Sequence, residues 1–527
     1  MPLGRSLAVA VLGIEGHLVE VEAHLSPGLP QFTLVGLPDT ALSESRDRVR
    51  AAVLTSGEPW PGHRITVSLS PAALPKRGSG FDLAIACAIL AGQGALPPAA
   101  VADRVCYGEL GLDGRLRPLR GVLPAVLAAV RAGRPRVVVP AANVAEATLV
   151  PGAEVCGVAS LRHLCALLRG EAPLADAPGE PGEPGEPGEP GEPGEPGEPG
   201  EPRGPDLADV RGQAEARLAL EIAAAGGHHL LLVGAPGAGK TMLAERLPGL
   251  LPPLEHAAAL EVTTIHSVAG TLPPGQPLVR RPPFCAPHHN ASVAALVGGG
   301  SGVPRPGAAS LAHRGVLFLD EAPEFAATAL DALRQPLECG TITVSRAAAT
   351  VQFPARFLLV LAANPCPCGR FFDRGARCVC PPLAVRRYLG RLSGPLLDRV
   401  DLRVRVEPVR RVDLLDRHTA PEPSGPVAAR VAAARQRARH RYAGTPWQTN
   451  AEVPGRALRA QWWPEGAMGE VSRALETGLL SARGLDRVLR VSWTLADLGG
   501  RDRPTSRDVA TALYLRTGTV DCLGDVA

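Results

Sequence analysis

Apolar and polar positions divide the first 170 residues into alternating strand-like and helix-like segments. Apolar runs and two-residue alternation predict strands in "SLAVAVLGI", "FTLVGL", "RITVSLS" and "RVVVP". Apolar residues spaced three or four apart predict helices in "ALSESRDRVRAAVLTS", "FDLAIACAILAG" and "GVLPAVLAAVRAG". We therefore expect an α/β or α+β domain over residues 1–170, and we call it the front domain.

The pattern after residue 206 is first mixed and then wholly helical. Buried strands are predicted at "HLLLV", "VLFL" and "FLLVLAAN", which indicates an α/β domain over residues 206–405. From 425 to 527 the apolar spacing predicts helices, including "PVAARVAAARQRARHRYAG", "AMGEVSRALETGLLS", "ARGLDRVLRVSWTLADL" and "TSRDVATALYLR". The predicted fold class is a multidomain α/β protein with a C-terminal helical domain.

A repeat separates the front domain from the rest. Residues 178–201 consist of "PGE" repeated without interruption. Glycine and proline at this density cannot build a core, and each repeat adds a negative charge. We expect a self-repelling, extended linker over residues 171–205. Read as Gly-Glu-Pro, the same tract also satisfies the glycine rule of a collagen helix.

Length, charge and cysteine content limit the number of domains, the partners and the compartment that we expect. A chain of 527 residues is too long for one core, and its net charge of +3 gives no overall signal for a polyanionic partner. Most of the 11 cysteines stand singly, as expected in a reducing compartment. No apolar run is long enough to span a bilayer, so we expect a cytoplasmic protein without a membrane partner.

A phosphate-binding loop follows the first strand of the second domain. "GAPGAGKT" fits G-x-x-x-x-G-K-[ST] and stands between a buried strand and a helical segment, as the motif requires. Its backbone N–H groups can cradle phosphates, its lysine adds a positive charge, and its threonine offers a hydroxyl to Mg²⁺. The predicted ATP-binding residues are Gly234, Ala235, Pro236, Gly237, Ala238, Gly239, Lys240 and Thr241.

Polar residues end the next two strands. Asp320 and Glu321 follow "VLFL", where an aspartate can hold Mg²⁺ and a glutamate can polarise the attacking water. Asn364 ends "FLLVLAAN" and can position that water, because ligands bind at the carboxyl ends of parallel strands. The alternative for Asn364 is a turn cap before Pro365. Together with Lys240, these residues form the predicted catalytic group.

Four cysteines form two C-x-C pairs separated by nine residues: Cys366, Cys368, Cys378 and Cys380. Four thiolates are a ligand set for tetrahedral Zn²⁺, although C-x-C is tighter than the usual C-x₂-C. A redox pair or plain thiols are the alternatives. A metal-bound loop here would also brace Asn364.

Long segments of the chain resemble the ComM/YifB family of magnesium-chelatase-like AAA+ ATPases. They include "DVRGQAEARLALEIAAAGGHHLLLVGAPGAGKTML", "APHHNASVAALVGGGSGVPRPGAASLAHRGVLFLDE", "LAANPCPCG" and "LSGPLLDRVDL". The resemblance implies a ring, a hexamer, with ATP held between neighbouring subunits. Arg399 looks like the arginine finger, with a surface salt bridge to Asp398 or Asp401 as the alternative. Arg483 looks like the second sensor arginine, with Arg487 as its competitor.

A hairpin is predicted at "TITVSRAAATVQF". In chelatase-like ATPases a hairpin at this place points into the pore, so Arg346 near the tip is a candidate DNA contact. The alternative is a structural hairpin with a solvated arginine. The family's other pore-side insertion is similar to "PHHNASVAALVGGG", and we expect its histidines to be structural or DNA-facing.

The front domain resembles the proteolytic domain of Lon proteases at "GELGLDGRLRPLRGVLPAVLAAVRAGRPRVVVPAAN". Lon uses a Ser–Lys pair, whose serine position falls on Gly80 and whose lysine position falls on Leu123. Ser79 stands one residue early, which leaves residual hydrolysis through Ser79 and Lys76 as the alternative. Without a nucleophile and its base no covalent route exists, so we expect no protease activity.

The resemblance implies DNA remodelling, because family members drive branch migration during recombination or natural transformation. The sequence alone leaves two other readings open: an ATPase partner in metal insertion, and a protein-remodelling ATPase. All three require ATP and Mg²⁺.

Overall fold

The computed structural model describes residues 3–36, 42, 44–76, 78–171, 204–273, 277–300, 304–346, 349–371, 378–415, 420–464 and 468–517. The PGE repeat of the predicted linker lies outside the described residues. None of the helices in these ranges combines the length and the apolar character needed to cross a membrane.

The front domain is built on a mixed seven-stranded sheet in the order β3-β4-β2-β1-β5-β8-β9, with a separate β6–β7 pair. Strands β1 and β2 are antiparallel from Leu3–His24 to Leu12–Glu15, so a turn of only Gly13 and Ile14 joins them. The predicted N-terminal strand is therefore confirmed. The strands are β1 (Leu3–Leu12), β2 (Glu15–Ser26), β3 (Gln31–Val35), β4 (Arg64–Ser70), β5 (Val105–Cys106), β6 (Glu109–Leu110), β7 (Leu116–Arg117), β8 (Arg136–Pro140) and β9 (Glu154–Val158).

Helices cover this sheet, and one of them is central. Every residue of Asp82–Gly92 is buried, in keeping with a segment that is apolar around its whole circumference. The helices of the front domain are α1 (Ser45–Thr55), α2 (Asp82–Gly92), α3 (Pro98–Ala102), α4 (Val122–Arg131), α5 (Val144–Ala147) and α6 (Leu161–Arg169).

The second domain contains a five-stranded parallel sheet in the order β11-β12-β15-β10-β16. The strand that leads into the phosphate-binding loop lies beside the strand that ends at Asn364, and all five carboxyl ends meet at one edge. A separate antiparallel hairpin, β13–β14, confirms the predicted pair of short strands. The strands are β10 (Leu230–Gly234), β11 (Phe284–Cys285), β12 (Val316–Leu319), β13 (Thr341–Arg346), β14 (Ala349–Pro354), β15 (Leu358–Ala363) and β16 (Leu402–Val406).

After residue 206, helices pack against the parallel sheet. The helices of the C-terminal region share one apolar core with this sheet. The mixed α/β fold with a helical C-terminal region agrees with the predicted fold class. The helices are α7 (Ala214–Gly226), α8 (Lys240–Arg246), α9 (His256–Ala269), α10 (Val293–Val297), α11 (Ala308–Leu311), α12 (Ala327–Ala332), α13 (Arg334–Cys339), α14 (Pro382–Leu389), α15 (Gly394–Leu397), α16 (Arg411–Leu415), α17 (Ser424–Arg441), α18 (Gly455–Gln461), α19 (Gly469–Glu476), α20 (Ala482–Leu498) and α21 (Ser506–Thr517).

Candidate functional site

The phosphate-binding loop connects β10 to α8 at the carboxyl edge of the parallel sheet. Gly237 and Gly239 have φ values of +75° and +92°, which L-residues rarely adopt, so the loop requires glycine there. Lys240, the first residue of α8, is only 8% exposed. Its Nζ donates to the carbonyl oxygens of Gly234 (2.7 Å) and Ala235 (3.0 Å) and to Asn364 Oδ1 (3.0 Å). Burial lowers the pKa of Lys240.

The predicted magnesium-binding pair is in direct contact. Thr241 Oγ1 donates to Asp320 Oδ2 at 2.7 Å, and the second oxygen of Asp320 accepts from the Glu321 N–H at 2.9 Å. A hydroxyl beside a carboxylate is the donor set that Mg²⁺ takes next to phosphates, so these two residues fit the ion. Glu321 follows the buried strand with φ +49° and has a half-exposed side chain.

Sequence reasoning missed Gln213 at this edge and did not predict that His289 contacts the catalytic candidate Glu321. Gln213, also in the left-handed region at φ +50°, donates from Nε2 to the Ala238 carbonyl at 2.5 Å and so braces the loop. His289 places Nδ1 3.4 Å from Glu321 Oε2, and its ring lies 4.1 Å from that of His288. Both contacts join residues distant in sequence, and the spacing of the motifs carries no signal for them.

The four cysteines converge on a small cluster beside the loop. Their sulfurs all lie within 4.8 Å of one another. The distances are 3.4 Å for Cys366–Cys368, 3.7 Å for Cys366–Cys378 and 3.6 Å for Cys368–Cys378. A tetrahedral zinc site with bonds of about 2.3 Å places its sulfurs about 3.8 Å apart, so the cluster fits the ion.

The cysteine loop also touches the phosphate-binding loop. Gly369 lies between the first two and last two cysteines and has φ +76°. A Cβ at this position would lie 2.3 Å from Cδ of Pro236. The cysteine loop therefore packs directly on the phosphate-binding loop (P-loop), and its first cysteine follows Asn364 by two residues.

Arg399 and Arg483 lie at the opposite edge of the sheet. Both line a cavity of about 800 Å³ together with His229, Gly315 and Leu358, which stand at or just before the amino ends of three strands. Arg483 belongs to helix α20 of the C-terminal region. The structure thus brings these two arginines together and separates them from the P-loop edge.

The contacts of these arginines differ in part from the alternatives that the sequence offered. The guanidinium of Arg399 forms a salt bridge, as the alternative to the finger role supposed, but its partner is Glu338 and not Asp398 or Asp401. Asp401 is fully buried and accepts from Arg487 at 3.0 Å, and this ion pair holds its pKa well below the usual range, against the effect of burial. Arg487 therefore pairs with a buried carboxylate, and it lines the same cavity as Arg483.

The candidate DNA contact lies on the hairpin, whose turn at residues 347–348 is outside the described residues. Arg346 is the last residue of β13 and is exposed. One of its terminal nitrogens lies 3.2 Å from where a Cβ on Gly299 would be. The hairpin and the segment after α10 therefore meet at Arg346.

The protease-like positions of the front domain do not form a Ser–Lys pair. The Ser79 hydroxyl donates to Glu109, whereas Lys76 is buried and its ammonium donates to the Pro71 carbonyl. Leu123, at the position of the Lon lysine, is buried in the first turn of α4. Ser79 is thus paired with a carboxylate and Lys76 with a backbone carbonyl, so the two do not form the Ser–Lys pair that Lon uses.

Comparisons with known proteins agree with this architecture. The description "Magnesium chelatase, subunit ChlI" matches residues 206–414, "Subunit ChlI of Mg-chelatase" matches residues 21–143, and "Magnesium chelatase, subunit ChlI C-terminal" matches residues 421–516. A shorter likeness links the front domain to Lon protease of Rhizobium meliloti, at 30% identity over 156 residues, 28% of this chain and 19% of that protease.

Three relatives match over nearly their whole length. An uncharacterized protein of Mycobacterium tuberculosis is 53% identical over 517 residues, covering 98% of this chain and 99% of the relative. YifB of Escherichia coli, also uncharacterized, is 41% identical over 96% of both chains. Competence protein ComM of Haemophilus influenzae is 40% identical over 98% of both chains. With its P-loop, parallel sheet and helical C-terminal region, the chain belongs to the ComM/YifB family of magnesium-chelatase-like AAA+ ATPases.

Proposed function

We propose that this protein forms a ring, a hexamer, that couples ATP hydrolysis to the remodelling of DNA by branch migration. The observation that carries the proposal is the division of the predicted site between two edges of one sheet. Lys240, Thr241, Asp320 and Asn364 meet at the carboxyl edge, whereas Arg399 lies at the amino edge. Such a site is completed by a second subunit.

At the carboxyl edge each side chain has a distinct task. Lys240 moves from its carbonyl and amide partners to the β- and γ-phosphates. Thr241 and Asp320 would hold Mg²⁺, and the ion would supply positive charge next to the phosphates. Glu321 polarises the attacking water and Asn364 orients it. The half-exposed carboxylate of Glu321 is accessible for this role.

At the amino edge, we expect Arg399 and Arg483 to contact the nucleotide that a neighbouring subunit binds. A guanidinium that reaches the γ-phosphate stabilises the transition state for its transfer to water. Arg399 must then leave Glu338, which is half-exposed and can return to water at small cost.

Mixing two inactive variants tests the shared site. Lys240→Ala loses the phosphate contact and Arg399→Ala loses the finger, so each protein alone is expected to be inactive. In a mixed ring some interfaces pair the intact P-loop of one subunit with the intact arginine of the next, and ATPase activity returns. Arg473→Ala, at an exposed position on α19, is the control and keeps full activity. Mixtures that stay inactive, with rings still formed, contradict the shared site.

The hairpin is the proposed DNA contact. Arg346 is exposed near the hairpin tip, where it can pair with a phosphate of the DNA backbone. ATP turnover is expected to rise with single-stranded DNA and to lose this rise steeply with added salt. Arg346→Ala should reduce the stimulation and leave the basal rate unchanged.

A three-strand branch-migration assay with Lys240→Ala as the negative control tests the function itself. Strand exchange that requires ATP hydrolysis supports it. Stimulation of the ATPase only by an unfolded protein supports the protein-remodelling alternative. If neither DNA nor unfolded protein stimulates the ATPase, a role in metal insertion becomes the favoured alternative, since the matching family description names magnesium chelatase.

A further inference from the structure

Two patches of the front domain pack against the domain of residues 206–405, which we call the ATPase domain. The PGE repeat separates these two domains in sequence. The packing is reciprocal. Ile14 of the front domain packs against the apolar cluster of the ATPase domain, and Leu260 of helix α9 packs against the apolar cluster of the front domain. Direct packing therefore joins the front domain to the ATPase domain.

The first patch surrounds a buried carboxylate. Glu146 is 8% exposed, and its Oε1 accepts from the Leu123 N–H at 2.9 Å and from the Ser267 hydroxyl at 2.5 Å. The Gly121 N–H also donates to the Ser267 carbonyl at 3.2 Å. Glu146 thus joins the start of helix α4 to the end of helix α9, and it does so at the position where the Lon resemblance places the catalytic lysine.

The second patch is the turn between β1 and β2. Gly13 has φ +63°, and a Cβ on it would lie 2.0 Å from Cγ1 of Val351 and 3.5 Å from Phe353. Both partners are buried residues of β14. The turn therefore rests directly on the inner face of the hairpin whose outer end carries Arg346.

The hairpin needs such support. Within the described residues β13 and β14 pair only with each other, and a two-stranded hairpin is marginally stable on its own. Its order depends on the packing of one apolar face, formed by Ile342, Val344, Val351 and Phe353 in the ATPase cluster that also contacts Ile14.

We propose that the front domain is a positioning element for the hairpin. The Glu146–Ser267 contact fixes the domain on helix α9, and the Gly13–Ile14 turn then holds the apolar face of the hairpin near its middle, so that Arg346 is presented at a fixed place. The effect of this positioning on DNA binding rests on the proposed function, whereas the mechanical support of the hairpin by the front domain does not.

A matched pair of glycine substitutions tests the support. Gly13→Ala adds a Cβ against Val351, a stiff β-branched side chain. Gly133→Ala adds a Cβ at φ +71° with no atom within 4 Å, so it carries the backbone strain without the collision. Hydrogen exchange of residues 341–354 in the full chain is the readout, because it follows local opening without requiring DNA.

Gly13→Ala is expected to speed exchange of the hairpin about tenfold, and Gly133→Ala to leave it unchanged. The double variant Gly13→Ala/Val351→Ala removes the colliding methyl and should exchange like Val351→Ala alone. Ile14→Ala, which removes packing without adding strain, should change exchange in the same direction as Gly13→Ala. Equal hairpin exchange in Gly13→Ala and Gly133→Ala, or no effect of Ile14→Ala, would overturn the inference.

The ATPase readout then separates the two proposals. Gly13→Ala should lower the DNA-stimulated part of the rate and keep the basal rate within about twofold of the parent. If the parent protein shows no stimulation by DNA while Gly13→Ala still loosens the hairpin, the proposed function fails and the positioning role stands. If stimulation is normal in Gly13→Ala despite a loosened hairpin, the positioning role fails instead.

Discussion

Asn364 offers a test in which two substitutions of the same side chain have different consequences. Its Oδ1 is one of three acceptors around the buried ammonium of Lys240. Asn364→Ala removes this acceptor and leaves two backbone carbonyls to hold the lysine. Asn364→Asp keeps an oxygen at the same place and gives it a negative charge.

The size of the second effect follows from the geometry. Opposite unit charges 3.0 Å apart attract by about 5 kcal/mol at an effective dielectric constant of about 20. Solvent that reaches the half-buried side chain of residue 364 reduces this attraction. The lysine must nevertheless leave the carboxylate before it can bind a phosphate, and the carboxylate also repels that phosphate. We expect the Kd for ATP to rise at least tenfold, which corresponds to about 1.4 kcal/mol.

Asn364→Ala should affect a different quantity. The lost hydrogen bond to a charged group is worth about 1.5–3 kcal/mol, but it is made before ATP binds and is replaced by contacts to phosphate. Binding should therefore change little. If Asn364 orients the attacking water, kcat should fall by about 10- to 100-fold.

The assay measures the Kd with a fluorescent ATP analogue and kcat from steady-state phosphate release, with thermal unfolding to verify that each variant is folded. The reasoning predicts a raised Kd for Asn364→Asp and a lowered kcat with unchanged Kd for Asn364→Ala. ATP binding by Asn364→Asp at parental strength would refute the role of the Lys240–Asn364 contact. An unchanged kcat in Asn364→Ala would show that Asn364 only ends the strand.

Three further predictions concern the cysteine cluster, the packing on the P-loop and a histidine at the amino edge of the sheet. Cys368→Ser should reduce the zinc content of the purified protein and its ATP turnover, and unchanged turnover without bound metal would reject the zinc site. Gly369→Ala should raise the KM for ATP, because its Cβ displaces Pro236, whereas Gly478→Ala, at φ +75° with open space around it, should not. Burial lowers the pKa of His229 to about 4 from its usual 6.5. The unfolded chain therefore binds the proton first as the pH falls below 6.5, so stability is complete above this value and declines towards pH 4. We expect a loss of about 1–2 kcal/mol between pH 7 and 5 in denaturant titrations, and His229→Gln should flatten this dependence.

Secondary structure could be predicted where the apolar residues of one short segment matched the pattern expected of a single helix or strand. The segment 482–498 is a helix at its predicted bounds, and Val316–Leu319 is a strand at its predicted bounds. The P-loop was equally clear, because its glycines, lysine and threonine lie within eight residues between a strand and a helix. In each of these cases a few neighbouring residues determine the outcome.

Contacts between distant segments could not be read in this way. His289 reaches Glu321, Gln213 reaches the P-loop, and Gly13 meets Val351 only because the sheets and helices between them are arranged as they are. Arg399 illustrates the same limit. The salt-bridge alternative for this arginine named the neighbouring Asp398 or Asp401, but its acidic partner is Glu338 of helix α13.

The separation of the two arginines from the P-loop is a consequence of parallel strand geometry. Strand β10 has five residues and so spans roughly 16 Å from the His229 end to Gly234. Every strand in the sheet runs the same way, so residues that precede strands collect at one edge and residues that follow them collect at the other. An arginine that precedes β16 cannot reach across that distance to a phosphate held by Lys240 of its own chain. If Arg399 acts on a nucleotide at all, that nucleotide is bound by another subunit, and the activity of the protein must depend on its assembly.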